Sequence, residues 1–355
     1  MRYFKISFLI AFVGLGLAAW WGYSRGGLVV ALEALGIATI LCVMEVSLSF
    51  DNAVVNASVL KSWNKFWQDI FLTIGMLIAV FGMRLLFPLV IVAFAADLGL
   101  IEVWNMGLNN PDEYAHHLIN HHAEVAAFGG VFLLLVFLNF LLDEKKELHW
   151  LGHIEEKIST FGKVASISVM IALGTLLASL SMVEEGKQLV VLVAGLWGVL
   201  SYVGVDVISS LLEKEEDDSK ISDVIKRGGI GGFLYLEVLD ASFSFDGVIG
   251  AFAITKDIVI IMIGLGIGAM FVRSMTVFLV RKETLDAYVY LEHGAHYAIG
   301  ILAVIMLASM KFHIPEIFTG FVGVVFIAAS LWSSLRYRRI KQQKSNKPPQ
   351  QKILR

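Results

Sequence analysis

Ten stretches of mainly apolar residues dominate the chain, at about 6–24, 28–49, 66–95, 125–142, 164–183, 188–211, 230–253, 257–280, 287–310 and 315–335. A helix needs about 20 such residues to cross the hydrocarbon core of a bilayer. Ten crossings therefore consume roughly 200 residues of a 355-residue chain and leave only short connectors. A composition of 57% hydrophobic and 17% charged residues fits this reading and not that of a water-soluble globule. The expected fold class is all-α, a polytopic membrane protein of about ten transmembrane helices. The first run follows Arg2 and Lys5, as a signal peptide would, but it ends in Ala19-Trp20-Trp21-Gly22 instead of a small-x-small cleavage site, so it is read as a span.

The distribution of positive charge supplies an orientation, because Lys- and Arg-rich loops stay cytoplasmic. With the N-terminus inside, the cytoplasmic segments hold 22 Lys and Arg, and the outer ones hold only Arg25, Lys187, Lys256 and Lys311. Arg84 and Arg273 lie within spans. Both termini are therefore expected in the cytoplasm. Residues 1–337 form a single transmembrane domain with halves at about 1–183 and 188–337, and 338–355 form a disordered basic tail able to touch anionic lipid head groups. The outer loop at about 96–124 carries His116, His117, His121 and His122 among acids. It is read as an exposed loop in which a local helix would set His117 and His121 on one face. The inner loop at 212–229 contains the charge run Glu213 to Asp218, read as a solvated connector. A net charge of -3 gives no basic excess for nucleic acid, and a lone Cys42 excludes a disulfide framework or a multi-cysteine metal site.

The two halves resemble each other. Glu45-Val46-Ser47-Leu48-Ser49-Phe50-Asp51-Asn52 matches Asp240-Ala241-Ser242-Phe243-Ser244-Phe245-Asp246-Gly247 at an offset of 195, and an offset of 189 then aligns Ile74-Gly75 with Ile263-Gly264 and Arg84 with Arg273. The matching spans are the second and the seventh. Five is an odd number of crossings, so the copies run in opposite directions: an inverted 5+5 repeat, the plan of many secondary transporters.

Acids at membrane depth are costly, by roughly 2.5 to 3.5 kcal/mol each on insertion scales, and so are seldom idle. At helical spacing Glu45, Ser49 and Asn52 share one stripe, as do Glu237, Asp240, Ser244 and Gly247, whereas Asp51 and Asp246 lie off these stripes. Either the helices unwind there, freeing carbonyls for a cation, or these acids face another neighbour. Carboxylate, hydroxyl and amide oxygens form a hard-ligand set suited to Mn²⁺, Mg²⁺ or Ca²⁺. The expected cation ligands are Glu45, Ser49, Asp51, Asn52, Glu237, Asp240, Ser244 and Asp246. Arg84 and Arg273 are expected to hold or compete for the carboxylates, and Glu292 and His296 to act as a supporting polar cluster in the ninth span. His149 and His153 near Glu156 form a further ligand-like pair.

On these residues the chain resembles the TerC family of integral membrane proteins, named for tellurium resistance, within the LysE-like exporter superfamily. One family pattern, Glu-x-x-x-Ser-x-Asp-Asn, stands as Glu45, Ser49, Asp51 and Asn52. The other, Glu-x-x-Asp-x-x-Phe-x-x-Asp, stands as Glu237, Asp240, Phe243 and Asp246. The resemblance implies an all-helical membrane fold, and because several members export Mn²⁺ it implies that the motif acids bind a cation. Gly247 departs from the family, which often has Asn or Ser there. The expected function is export of a divalent cation, Mn²⁺ first, across a bacterial-type inner membrane by alternating access, with proton coupling and no permanently bound cofactor. The alternative is a non-transporting anchor for a metal-stress complex. A homo-oligomer or membrane complex is compatible with both. With no nucleophile elbow, zincin motif or phosphate loop, the chain is not expected to be an enzyme.

Overall fold

A computed structural model describes residues 2–75, 77–144, 146, 148–163, 166–212, 228–281, 288–312 and 314–345. The charge run Glu213 to Asp218 lies outside them, as do residues 346–355. The regular structure of the described residues is all helical, and the described part of each of the ten apolar runs is mostly helix, the first two runs sharing one element and the third spread over several. Seven helical stretches are long and apolar enough to cross a membrane, and an eighth results if His153–Gly162 and Ile167–Met182, bent by 98°, count as one.

The first of these, α1 (Lys5–Leu48), is two arms folded back on each other. Its backbone leaves helical geometry at Gly26 and at Gly27, whose φ of +74° with ψ of -158° is open to glycine alone. The arms touch through small side chains: a Cβ on Gly22 would stand 2.5 Å from the Val30 carbonyl oxygen and 2.8 Å from the Ala34 Cβ. After a slight break at Ser49 the chain continues as α2 (Phe50–Leu60). α3 (Lys65–Ile70) leads into two π-helical segments, Phe71–Gly75 and Ile78–Leu86, and then α4 (Phe87–Ala96). Pro88 contributes to this winding. It has no N–H to give the Arg84 carbonyl four residues back, and Phe87 N–H bonds to Gly82, five residues back.

The segment at 96–124 is not an open loop. It folds as α5 (Leu100–Asn109) and α6 (Pro111–Asn120), which bury Val103, Tyr114 and Leu118 against the bundle. α6 ends at Asn120, before His121, so no helical face joins His117 to His121. The chain continues with α7 (His122–Leu141), α8 (His153–Ser159) in the connector, α9 (Ile167–Ser179), α10 (Gln188–Leu212), α11 (Ile230–Ile254), α12 (Ile258–Arg281), α13 (Leu291–Ser309) and α14 (Glu316–Ser345). Helix α14 runs on through 338–345, the first part of the stretch expected to be disordered. No proline interrupts it before Pro348, and Arg338 and Arg339 in its final part are favourable to the helix dipole.

Two apolar clusters hold the bundle. One gathers Phe132, Leu135, Leu176, Leu236, Leu239 and Ile299; the other gathers Leu41, Val103, Tyr114, Val248 and Leu265. The helices carrying the motifs pass from one to the other. α11 gives Leu236 and Leu239 to the first cluster and Val248 and Ala251 to the second, while α1 gives Ala38 and Leu41 to the second and α2 gives Val54, Val55 and Leu60 to the first. In each case the polar motif falls between. Large side chains such as Phe12 and Val29 point outward, where lipid takes the place of a core.

Candidate functional site

The two polar segments meet. Glu45 on α1 is 1% exposed; its Oε1 accepts a hydrogen bond from the Ser49 hydroxyl at 2.7 Å and forms an ion pair with Arg84 Nη2. Arg84 comes from the π-helical segment Ile78–Leu86 and donates its Nη1 to the Ala79 carbonyl in the same segment at 2.6 Å. Asp240 on α11 accepts from Asn56 Nδ2 at 2.8 Å, is hydrogen-bonded to Asn52 as well, and feels the charges of Arg84 and Glu45. One guanidinium therefore serves acids from both motif helices.

Glycines set how closely these elements approach. A Cβ on Gly247 of α11 would stand 3.1 Å from Glu45 Oε2, and one on Gly268 of α12 would stand 2.5 Å from the Glu45 Cβ. The departure from the TerC pattern at Gly247 thus makes room for the Glu45 carboxylate. Gly75, at the end of the first π segment, does the same for Glu237, whose Oε1 lies 2.5 Å from where a Cβ would be. Glu237 is buried, and neither carboxyl oxygen has a partner among the described residues; Ser244 Oγ is likewise unpartnered.

The first motif is interrupted only by the slight break at Ser49, and the second is continuous. Ser49 N–H still bonds to the Glu45 carbonyl at 2.9 Å, Ala53 N–H to Ser49 at 3.2 Å, and α11 is unbroken across Asp240 to Gly247. Asp51 lies off the stripe because it faces a different neighbour: its Oδ2 is 2.8 Å from the Cβ position of Gly323 on α14, and its Oδ1 accepts from Asn52 N–H. The irregular backbone is one span further on, in the π segments. Asp246 occupies its place on α11, but its side chain lies outside the described residues.

Two expected pairings do not form: that of Arg273 with the motif carboxylates, and that of His149 with His153 on one helix. Arg273 does not reach the carboxylates; its Nε and Nη2 both donate to the Leu72 carbonyl, at 3.0 and 2.7 Å. In the ninth span Glu292 lies 3.9 Å from Lys61, and His296 stacks on Phe140 at 3.9 Å and bonds through Nδ1 to the Glu292 carbonyl. His149 and His153 do not share a helix, since α8 begins at His153, which pairs with Glu156 in the open. Among the described residues no three Asp, Glu, His or Cys side chains stand close enough to hold a metal ion together.

A second buried charge cluster lies in the connector. Glu155, fully buried on α8, pairs with Lys146 at 2.5 Å, accepts Leu151 N–H at 3.0 Å and lies 3.8 Å from His293. Burial raises its carboxyl pKa, but the Lys146 ammonium and the Leu151 amide outweigh this and hold it below the usual glutamate range.

Sequence reasoning passed over Asn56, Gly75 and Gly268. Asn56 stood four residues beyond Asn52, on the same helical face, and was the available signal.

Residues 50–341 match a family described as "Protein of unknown function (DUF475)". A curated relative described as the uncharacterized membrane protein YceF of Bacillus subtilis (strain 168) is 30% identical over 138 residues, which is 37% of this chain and 51% of the relative. The chain thus spans about half the length of that relative. No solved structure matches the chain.

Proposed function

The chain belongs to the DUF475 family, and from that premise we propose that this membrane protein is a secondary transporter, its cargo a divalent metal cation, Mn²⁺ first, exported from the cytoplasm. The TerC resemblance points the same way. The observation that carries the reading is a shortage of positive charge among the described residues: Glu45, Asp51, Glu237 and Asp240 are all buried on α1, α2 and α11, and Arg84 is the cation that reaches two of them, Glu45 and Asp240. A cation is the cargo such a cluster stabilises. Cargo and guanidinium compete for the same carboxylates, so binding requires Arg84 to leave Glu45.

An inverted repeat supplies the means of alternating access, and packing supports it. The second arm of α1, through Ala38 and Leu41 against Gly264, and α2 pack on α12, the eighth span, while α11, the seventh, packs on the π segments of the third. Exchanging the halves exchanges these pairs. At residue level Gly264 abuts Ala38, and its mate Gly75 abuts Phe233, the residue that the 195 offset assigns to Ala38. On this reading both termini are cytoplasmic and the membrane is a bacterial-type inner membrane.

A second reading, a non-transporting anchor, draws on the lack of any three-ligand cluster among the described residues. Flux separates the two. Purified protein in liposomes, given Mn²⁺, Mg²⁺ or Ca²⁺ at two pH values, is expected to move cation, and Asp240→Asn is expected to abolish movement while inserting normally. Flux no greater than that of empty liposomes for every ion would refute transport.

A further inference from the structure

Asn56 belongs to neither motif, yet it completes the polar junction between the halves. Its Nδ2 and the side chain of Asn52 both engage Asp240. An ionised carboxylate only accepts, so the atom each amide presents to it must be nitrogen, and that fixes which way both amides are turned. Their carbonyl oxygens are then committed to other directions. Neither Asn52 Oδ1 nor Asn56 Oδ1 has a donor among the described residues, although Asn52 is 6% and Asn56 2% exposed. Two unpaired acceptors one turn apart, both buried, are a costly arrangement for packing alone.

We infer that Asn56 is a cargo ligand, and that Asn52 and Asn56 together present two neutral oxygens to a divalent cation held between Glu45 and Asp240. This rests on the cation-transport reading and deepens it. Glu45 and Asp240 balance two positive charges. The amide oxygens and the Ser49 hydroxyl then add hard donors without adding charge, and ligand number and rigidity of this kind decide between Mn²⁺ and the larger Ca²⁺. Asp240 holds the amide nitrogens, so the oxygens are oriented before the ion arrives.

The test is Mn²⁺ and Ca²⁺ binding to the purified full-length protein in detergent, by calorimetry, alongside flux in liposomes. Asn56→Leu is expected to raise the Mn²⁺ dissociation constant about tenfold, the scale of one lost favourable contact, and to change the Mn²⁺/Ca²⁺ ratio. Asn56→Asp, which keeps an oxygen but gives up the donor to Asp240, is expected to bind Mn²⁺ more tightly than Asn56→Leu and also to alter the ratio. If both ions weaken by one common factor, or neither changes, Asn56 merely positions Asp240 and the inference is overturned. Should Asn56→Leu not fold, an unchanged ratio in Asn56→Asp overturns it equally. Wild-type binding without flux sinks the transport reading and leaves the ligand assignment standing, so the two failures are distinct.

Discussion

Replacing Arg84 with leucine removes the one guanidinium set among the motif acids. The substitution deletes the ion pair with Glu45 and the 2.6 Å bond to the Ala79 carbonyl. Glu45, 1% exposed, is left with the Ser49 hydroxyl as its recorded partner. Taking away one member of a buried pair costs about 3–5 kcal/mol, because the survivor stays desolvated without its counter-charge. Removing both members is milder: Arg84→Leu with Glu45→Gln leaves neither partner of the pair charged, although Asp240 still loses the nearby guanidinium, and is expected to cost about 1–2 kcal/mol, the scale of lost hydrogen bonds. The double-mutant cycle should therefore show a coupling of about 2 kcal/mol or more, near the upper end for contacting residues. Unfolding by sodium dodecyl sulfate in mixed micelles, followed by helical circular dichroism, measures all four proteins. Single substitutions that each cost below about 1 kcal/mol, or a double that equals their sum within about 0.5 kcal/mol, would show that the pair is not the charge-compensating contact described.

Gly75→Ala would put a methyl 2.5 Å from Glu237 Oε1 and 2.9 Å from the Phe71 ring; it is expected to cost about 1–3 kcal/mol in the same unfolding assay, with partial rescue by Glu237→Ala, and an unchanged midpoint would contradict the close approach. Glu155, held below its ordinary pKa near 4.5, contributes stability that is present above that value and is lost as pH falls through the lower folded value. Melting temperature measured from neutral pH downward should therefore show an acid-limb decline in wild type that Glu155→Gln diminishes, and identical limbs would count against the Lys146–Glu155 contact.

Much of this architecture was legible because its signals are one-dimensional. A run of apolar residues declares a span wherever it packs, and Glu45, Ser49 and Asn52 at i, i+4 and i+7 declare a shared face. The 195-residue offset between Glu45 and Asp240 singled out two residues that do lie at one polar junction, linked through Arg84 and the two asparagines. What the pattern lacked was winding and partner choice. A π segment differs from an α-helix by one residue per hydrogen-bonded loop, which leaves hydrophobicity almost unaltered, so Pro88 was the sole local hint. Asn56 went unread because its importance depends on Asp240, 184 residues away. The outer segment looked open because its polar residues mask Val103, Tyr114 and Leu118, whose burial depends on α11 and α12.

The two arginines occupy matching positions in the aligned halves, yet their partners differ in kind. Arg84 neutralises a buried acid. Arg273 spends two donors on the Leu72 carbonyl, in the π segment of the opposite half, a neutral group that regular helical bonding would satisfy without help from a guanidinium. If the acids served bundle stability alone, both cations would be expected on carboxylates, since an unpaired buried charge costs several kcal/mol and a carbonyl far less. The observed allocation does the reverse. It leaves Glu237 without a partner among the described residues while a guanidinium holds irregular backbone close to Gly75, which Glu237 itself packs against. On the proposed reading a cation that comes and goes would stabilise a cluster kept short of positive charge in this way, and the asymmetry between the two arginines is in keeping with that proposal.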